Sequence, residues 1–219
     1  MTYELRKQGT RLAEPARAKS SPESRAELLS ALGEVFRAHG YEGASLALIS
    51  EATGLGKGSL YHFFPDGKEQ MAAEVLASID AWFVTEIYRP LRKASDPRRG
   101  IIDMFSGVDN YFRSGRRVCL IGVVALGNAR DLFADRVKDY FAAWIDALAA
   151  ALRKLGHSPA TARHLSEQAV LEIQGALVLA RAVDDPQVFS RTLLRSQKRL
   201  LETADGGAAG HRRPKAVKR

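Results

Sequence analysis

The feature of the sequence that most constrains its fold is a repeated helix-start signal, in which a capping residue stands directly before a proline. The pairs are Ser21-Pro22, Asp96-Pro97, Ser158-Pro159 and Asp185-Pro186. The capping side chain accepts a hydrogen bond from a free N–H of the first turn, and proline lacks the N–H that would otherwise stay unpaired there. No segment shows the sustained apolar/polar alternation of a half-buried strand. The sequence therefore predicts an all-α fold.

Apolar residues follow these signals at helical spacing. From Val137 to Leu155, just before Gly156, six apolar residues succeed one another at intervals of three or four. Pro90 is predicted to end or kink the fourth helix, and Asn128 is a further candidate cap. We expect nine helices, over 22–39, 45–52, 56–63, 68–89, 97–113, 119–127, 129–155, 159–182 and 187–203.

The chain divides into four parts. Because the first three helices are short and tightly joined, we expect a small module at 22–67 before a larger helical domain at 68–204. A basic, flexible leader at 1–21 and a disordered basic tail at 205–219 flank them. The formal net charge is +8, and the stretch 206–219 contributes five basic residues and no acid. A solubilising tail and a tail that slides along phosphates both remain open.

Composition excludes several classes of protein. The only cysteine, Cys119, rules out an internal disulfide framework and zinc fingers. The start of the chain has no apolar signal segment, and the longest apolar run, 118–126, is far shorter than the roughly 18 residues of a membrane span. His157 and His164 lack ligand spacing, and no nucleophile–base motif or framed carboxylate pair is present. We therefore expect a soluble cytoplasmic protein that is not an enzyme and needs no metal or cofactor.

The most informative stretch runs from residue 45 to residue 71. Ser45 can cap a short helix, Gly54 can supply a positive φ in a tight turn, and a second short helix follows at 56–63. Two such helices match a helix-turn-helix, whose second helix enters the DNA major groove with its N-terminal residues against the bases. A nucleotide-binding loop at 54–59 is disfavoured, because a helix precedes it and the glycine spacing is wrong. The predicted DNA-binding residues are Ser45, Lys57, Gly58, Ser59, Tyr61, His62 and Lys68, the last at the start of the fourth helix.

This stretch resembles the DNA-binding module of the TetR family of bacterial transcription regulators. The resemblance rests on 28-LLSALGEVFRAHGYEGASLALISEATGLGKGSLYHFFPDGKEQM, with its paired aliphatics, Gly-Tyr, glycine turn and Lys-Gly-Ser-Leu-Tyr-His-Phe-Phe. The Phe-Pro-Asp-Gly-Lys-Glu ending, Cys119-Leu-Ile-Gly and 173-IQGALVLARA are similar to the LmrA/YxaF-type branch. The resemblance implies a homodimer that binds a palindromic operator and represses nearby genes until a small molecule releases it. A DNA-binding protein without an effector, or an activator, is the alternative.

The larger domain is predicted to hold an effector pocket and a dimer interface. A mainly hydrophobic effector is favoured, since no buried charge cluster is evident in the sequence. Cys119 is open to three interpretations: a small buried hydrophobe, a pocket residue, or a thiol activated by Arg116 and Arg117. The predicted pocket residues are Trp82, Met104, Phe105, Val108, Phe112, Cys119, Val123, Phe141, Trp144 and Gln174. The predicted interface residues are Ile173, Leu177, Ala180, Phe189, Leu193 and Leu200.

The charge of the module departs from the usual pattern of DNA-binding domains. From Arg25 to Gln70 there are four basic and six acidic residues. Because phosphate neutralisation dominates DNA affinity, we expect the leader, with 6-RKQGTR-11 and the nearby Arg17 and Lys19, to supply phosphate or minor-groove contacts.

Overall fold

The computed structural model describes residues 24–206 of the chain, with side chains described to residue 202. Within this part every regular element is helical, which confirms the all-α prediction. The described residues form ten α-helices, one π-helical segment and one 3₁₀-helix. The α-helices are α1 Arg25–Gly43, α2 Leu46–Thr53, α3 Lys57–Phe63, α4 Lys68–Phe83, α5 Arg89–Lys93, α6 Pro97–Tyr111, α7 Leu120–Leu126, α8 Ala134–Lys154, α9 Pro159–Ala182 and α10 Gln187–Gly206. The π-helical segment, Val84–Tyr88, lies between α4 and α5, and the 3₁₀-helix, Asn128–Phe133, lies between α7 and α8.

Helix α1 begins later than the Ser-Pro signal predicts. Ser24 caps it: its side chain accepts from the backbone N–H of Glu27, whose carboxylate in turn accepts from the N–H of Ser24. This reciprocal capping box pairs two N–H groups at once. It needs a glutamate three positions after the capping serine, and Glu27 stands at that position for Ser24, whereas a serine stands there for Ser21. The Ser21-Pro22 pair itself lies outside the described residues. At the other end the backbone breaks at Gly40, whose φ is 68°, and one further turn runs to Gly43.

Pro90 does not end the fourth helix. Instead α4 passes into the π-helical segment and then into α5, which continues to Lys93. Proline has no N–H to donate and its ring crowds the preceding turn, so a wider turn just before it accommodates the proline without ending the helix. The continuous helical segment therefore runs over 68–93 and not over the predicted 68–89, and it extends from the small module into the larger domain.

Other helix ends follow from local caps. Asp96 and Ser158 cap α6 and α9 as predicted, by accepting from the N–H groups of Arg98 and Thr161. Asp185 accepts from the N–H of Gln187, where α10 begins. Asn128 does not cap an α-helix; it starts the 3₁₀-helix, and α8 begins only at Ala134.

The core of the larger domain is built on aromatic rings around Phe83. Its ring centroid lies 4.8 Å from that of Tyr111, 5.1 Å from Tyr140 and 5.4 Å from Trp144. Aromatic pairs at these distances bury a large apolar area and favour edge-to-face or tilted geometry, as found here. One apolar cluster runs from α1 into α10, so the small module and the larger domain share a core. Among the described residues, no helix is both long and apolar enough to cross a membrane.

Candidate nucleic-acid interface and effector cleft

Helices α2 and α3 form the predicted helix-turn-helix. Ser45 caps α2 by accepting from the N–H of Leu48, at 3.3 Å, and Gly54 ends it with a φ of 69°. Only three residues separate the two helices, since α2 ends at Thr53 and α3 begins at Lys57. Buried Ile49 and Leu60 pack the pair onto the rest of the module. The turn geometry thus follows from a capping serine, a glycine and two core residues.

One face of α3 lies open to solvent. Lys57, Gly58, Ser59, Tyr61 and His62 are all exposed. An added Cβ at Gly58 would meet nothing within 4 Å, so packing inside the chain does not require a glycine there. The ammonium of Lys57 lies 5.9 Å from the ring centroid of Tyr61, which places both on the same face. The structure therefore brings these five predicted residues onto one accessible surface.

Lys68 is placed differently from its predicted role. Its ammonium donates to the backbone carbonyl oxygen of Tyr41 at 2.9 Å and lies 4.6 Å from the centroid of the Tyr41 ring. A second carbonyl, that of Glu42, lies 3.5 Å away. These carbonyls belong to the last turn of α1, where a cation is favourable because C-terminal carbonyls carry partial negative charge. In this structure the ammonium joins α4 to α1, and its contact with a phosphate stays a prediction.

Tyr61 is also tied to the start of α4. An added Cβ at Gly67 would lie 3.5 Å from the Tyr61 ring and 4.0 Å from its hydroxyl oxygen. Gly67 precedes α4 with a φ of 69° and provides no side-chain cap. The Tyr61 side chain therefore lies beside Gly67, at the start of α4.

The larger domain contains an apolar cleft of about 950 Å³. It lies between α7, α8 and α9 and reaches the break in α1 at Gly40. Of the ten predicted pocket residues, four line it: Cys119, Val123, Phe141 and Gln174. The side-chain nitrogen of Gln174 is buried with no hydrogen-bond partner in the described structure. The volume of the apolar cleft is typical of sites that enclose a small molecule.

The other six predicted pocket residues are elsewhere. Val108, Phe112 and Trp144 are fully buried, and the last two pack against Phe83, so they are core residues. Met104 and Phe105 are also buried and border two smaller surface depressions. Trp82 lines a separate cleft beside α1. Helical spacing identifies apolar residues but does not distinguish core side chains from cavity walls.

Cys119 combines two of its proposed roles. It is 7% exposed and lines the apolar cleft, and its Sγ accepts from the N–H of Gly122 at 3.3 Å, which caps α7. Burial raises the pKa of the thiol above its ordinary value, although hydrogen bonds and nearby Arg37 oppose this shift. The neutral thiol is the poorly reactive form, so activation by neighbouring arginines is not supported.

The six predicted interface residues are core residues of the single chain. Ile173, Leu177 and Ala180 lie on the buried side of α9, where Leu177 also lines the apolar cleft, and every one of the six is at most 5% exposed. The opposite side of α9, continued by its C-cap residue Val183, is apolar yet exposed, and we call it the α9 stripe: Leu171, Val178, Leu179 and Val183, which are 55–71% exposed. The predicted interface residues were assigned wrongly because α9 is apolar on two faces, and the sequence alone does not indicate which face packs against the chain's own core.

A polar cluster that sequence reasoning missed joins α1 to the turn after α6. Glu34 on α1 accepts from Arg117 at 2.7 Å and from Arg37 at 3.2 Å. The Arg37 guanidinium also donates to the Tyr111 hydroxyl at 3.0 Å. These residues are separated by up to 83 positions along the chain, and nothing in their local sequence indicates the contact. Among the described residues there is no group of three or more His, Cys, Asp or Glu that could hold a metal ion.

The helix-turn-helix, followed by a larger helical domain with a cleft, defines a class of bacterial transcription regulators. Residues 28–75 match the model of bacterial regulatory proteins of the tetR family. Residues 97–193 match the C-terminal domain model of LmrA/YxaF-like transcriptional regulators. The chain belongs to the TetR family, with a C-terminal domain of the LmrA/YxaF type.

Individual relatives support this assignment. The chain is 27% identical to the HTH-type transcriptional regulator LmrA of Bacillus subtilis over 162 residues, which cover 72% of this chain and 86% of that protein. A TetR regulator from Legionella pneumophila has the same fold, with a TM-score of 0.69 and 19% identity over 81% of this chain and 97% of that one. The regulator CifR, solved in complex with a 26-base-pair operator, has a TM-score of 0.59 and 24% identity, over 86% of this chain and 97% of that one. The chain is thus a transcriptional regulator and not an enzyme.

Proposed function

We propose that this protein is a homodimeric repressor that binds a palindromic operator through α3 and leaves it when a small apolar molecule occupies the cleft. The observation that carries the DNA-binding part is the exposed face of α3, where Lys57, Ser59 and Tyr61 stand free of the core. The small residues Gly56 and Gly58 leave open space at the start of this helix, which suits a close approach to base edges. The proposal is supported by CifR, which has the same fold and was solved in complex with operator DNA.

The electrostatics of the module explain why further contacts are needed. Of its four basic residues, Lys68 is bound to carbonyls of α1, Arg37 is buried, and Arg25 is paired with Glu74 at 2.5 Å. The ammonium of Lys57 lies 5.9 Å from the ring centroid of Tyr61, on the exposed face of α3. The guanidinium of Arg25, at the start of α1, lies 4.9 Å from the centroid of Phe64, directly after α3. The basic residues of the leader lie outside the described residues, and we propose that they supply the further phosphate contacts.

The α9 stripe supports the dimer. Four large apolar side chains on one exposed helix face are costly to leave in water, and a second copy of the chain would cover the same face on both subunits. A two-fold dimer also suits an operator with two half-sites. Leu171 and Val178 belong both to this stripe and to the wall of the apolar cleft.

The shared residues provide a physical link between ligand and DNA. A ligand that changes the packing of Leu171 and Val178 would change the angle between subunits, and with it the spacing of the two α3 helices. Moving the protein from mostly bound to mostly released requires roughly 5 kcal/mol of differential affinity. The alternative of a regulator without an effector is disfavoured by the presence of the cleft.

The test is a gel shift on the DNA upstream of the protein's own gene, titrated with salt. We expect the double variant Lys57→Ala/Tyr61→Ala to weaken specific binding by at least tenfold, since each lost base or phosphate contact costs about 1–3 kcal/mol. Lys93→Ala, which removes an exposed lysine of α5, is the matched control and should bind as wild type does.

A second arm separates α3 from the leader. Deleting residues 2–20 should reduce the slope of affinity against salt, because fewer phosphates are neutralised. If the double variant binds normally and affinity disappears only when leader and tail are removed, the assignment of α3 as the groove-reading helix is wrong.

A further inference from the structure

A second cleft, of about 400 Å³, lies between the DNA-binding module and the larger domain. Its walls come from α1, α4 and the end of α6 with the turn that follows, so we call it the α1–α4–α6 cleft. It includes Trp82, Tyr111, Arg113 and Arg117, and it shares only Arg37 with the apolar cleft. It is therefore distinct from the proposed effector site in position and in chemistry.

The charge of this cleft is one-sided. Three arginines, Arg37, Arg113 and Arg117, line it, and no acidic residue does. Glu34 is the one carboxylate paired with Arg37 and Arg117 in the described structure, and it serves both through the same oxygen. Guanidinium groups stay protonated in proteins, so the cluster keeps an excess of positive charge. Such an excess in a recess with low-dielectric walls attracts anions.

One hydrogen-bond donor among these arginines is buried and has no acceptor in the described structure. The Arg37 side chain is 5% exposed, and its Nε has no hydrogen-bond partner in the described structure. Its other two nitrogens are engaged by Glu34 and the Tyr111 hydroxyl. A buried donor without a partner costs about 1–3 kcal/mol, which an acceptor bound in the cleft would recover only if the Arg37 side chain shifts to meet it. Burial lowers the pKa of this guanidinium from its ordinary value, which agrees with a cation that lacks full compensation.

The remaining wall is aromatic. The rings of Trp82 and Tyr111 lie 4.6 Å apart between centroids and are inclined by 35°. Trp82 is partly exposed, and the Arg117 guanidinium sits 4.8 Å from the Tyr111 centroid. Flat apolar faces beside guanidinium groups suit a planar ligand that carries one anionic group.

We propose that the α1–α4–α6 cleft binds a small aromatic carboxylate, with its ring against Trp82 and its carboxylate accepting from the arginines. The acid would bridge α1 to the turn after α6, and so would tie the DNA-binding module to the larger domain at a point separate from the apolar cleft. This goes beyond the proposed function, because it adds a second ligand class at a second site.

Direct binding to the full-length protein, without DNA, tests this proposal. Benzoate, salicylate and 1-naphthoate are titrated by calorimetry and by tryptophan fluorescence, with benzamide, salicylamide and 1-naphthamide as neutral counterparts. Trp82 is the reporter, since the second tryptophan, Trp144, is fully buried in the core. We expect saturable binding of at least one acid, a change in emission, and no binding of its amide.

Variants locate the site. Arg113→Gln should weaken binding of that acid by about tenfold, as loss of one charge-assisted hydrogen bond implies. Arg116→Gln is the matched control: it removes a neighbouring exposed arginine that does not line the cleft and should leave binding unchanged. Phe141→Leu, in the apolar cleft, should also leave it unchanged.

Three outcomes would overturn the proposal: no saturable binding of any of the three acids, equal binding of acid and amide, or equal affinities of Arg113→Gln and Arg116→Gln. Each of these is independent of operator binding. A failure here therefore does not count against α3 as the DNA-reading helix, and a failure of the gel shift does not count against the cleft.

Discussion

Gly115, in the turn between α6 and α7, shows how much a single residue can decide. Its φ is +88°, and an added Cβ would lie 2.7 Å from Cβ of Phe189 and 3.0 Å from the carbonyl oxygen of Pro186. The turn therefore has to carry a glycine both for its backbone conformation and for its contact with the start of α10. Gly156, after α8, has a similar φ of +95° but nothing within 4 Å of an added Cβ.

This pair yields a prediction about stability. Gly156→Ala should lower the free energy of unfolding by about 1–2 kcal/mol, because its backbone adopts a conformation that a Cβ disfavours. Gly115→Ala should cost at least about 2 kcal/mol more, since the turn or α10 must also move. Urea unfolding of the two variants and of wild type measures both values. Equal losses would show that α10 does not pack on this turn as described.

Helix α9 shows at the scale of one element why two apolar faces have different fates. One face, with Ile173 and Ala180, is buried in the core of the chain, whereas the α9 stripe is left in water. Within the stripe, Leu179 and Val183 do not line the apolar cleft. They therefore allow the dimer to be tested without disturbing the proposed effector site.

We expect Leu179→Glu to weaken self-association by at least tenfold, because each subunit would place an unpaired carboxylate in the interface. Leu132→Glu is the matched control, since Leu132 is 53% exposed against 55% for Leu179 and lies in the 3₁₀-helix away from the stripe. Sedimentation equilibrium of the three proteins gives the association constants. A monomeric wild type, or identical constants for both variants, would contradict the role of the stripe.

The whole molecule is stabilised by a core that holds several ionisable groups in neutral form. Desolvation raises the pKa of the Cys119 thiol above 9.0 and those of the Tyr88, Tyr111 and Tyr140 hydroxyls above 10.0. In the unfolded chain these groups ionise near their ordinary pKa values, whereas in the folded protein they keep their protons. Their contribution to stability is therefore complete below those ordinary values and is lost as the pH rises through the raised ones.

We accordingly expect the free energy of unfolding to fall as the pH rises above about 9, by about 1.4 kcal/mol per pH unit for each group that is ionised only in the unfolded chain. Urea unfolding at pH 7.5, 9 and 10.5 measures the slope. Tyr140→Phe should reduce this slope at little cost near neutrality, since among the described residues the buried Tyr140 hydroxyl has no hydrogen-bond partner within normal geometry. A stability that does not change over this range, or an unchanged slope in Tyr140→Phe, would refute the explanation.

Features that depend on neighbouring residues were predictable from the amino-acid sequence. Caps at Ser45, Asp96 and Ser158, the positive φ of Gly54 and the helical apolar spacing each follow from chemistry within a few positions, and the structure confirms them. The all-α class and the helix-turn-helix follow from the same local signals. The exposed face of α3 was predictable in part, because most of its residues are small or polar and Leu60 is its one buried residue.

Which apolar helix face is buried, and which charged side chain is left without a partner, depends on how the helices pack together. Six side chains predicted at an interface lie in the core, Trp144 and Phe112 pack on Phe83, and the Lys68 ammonium is bound to α1. These outcomes depend on residues distant in the chain, as with Glu34 and Arg117, and spacing along one helix contains no information about them. Burial is a property of the assembled helices, so the two clefts and the α9 stripe became visible only once α1 and α6–α9 were packed together.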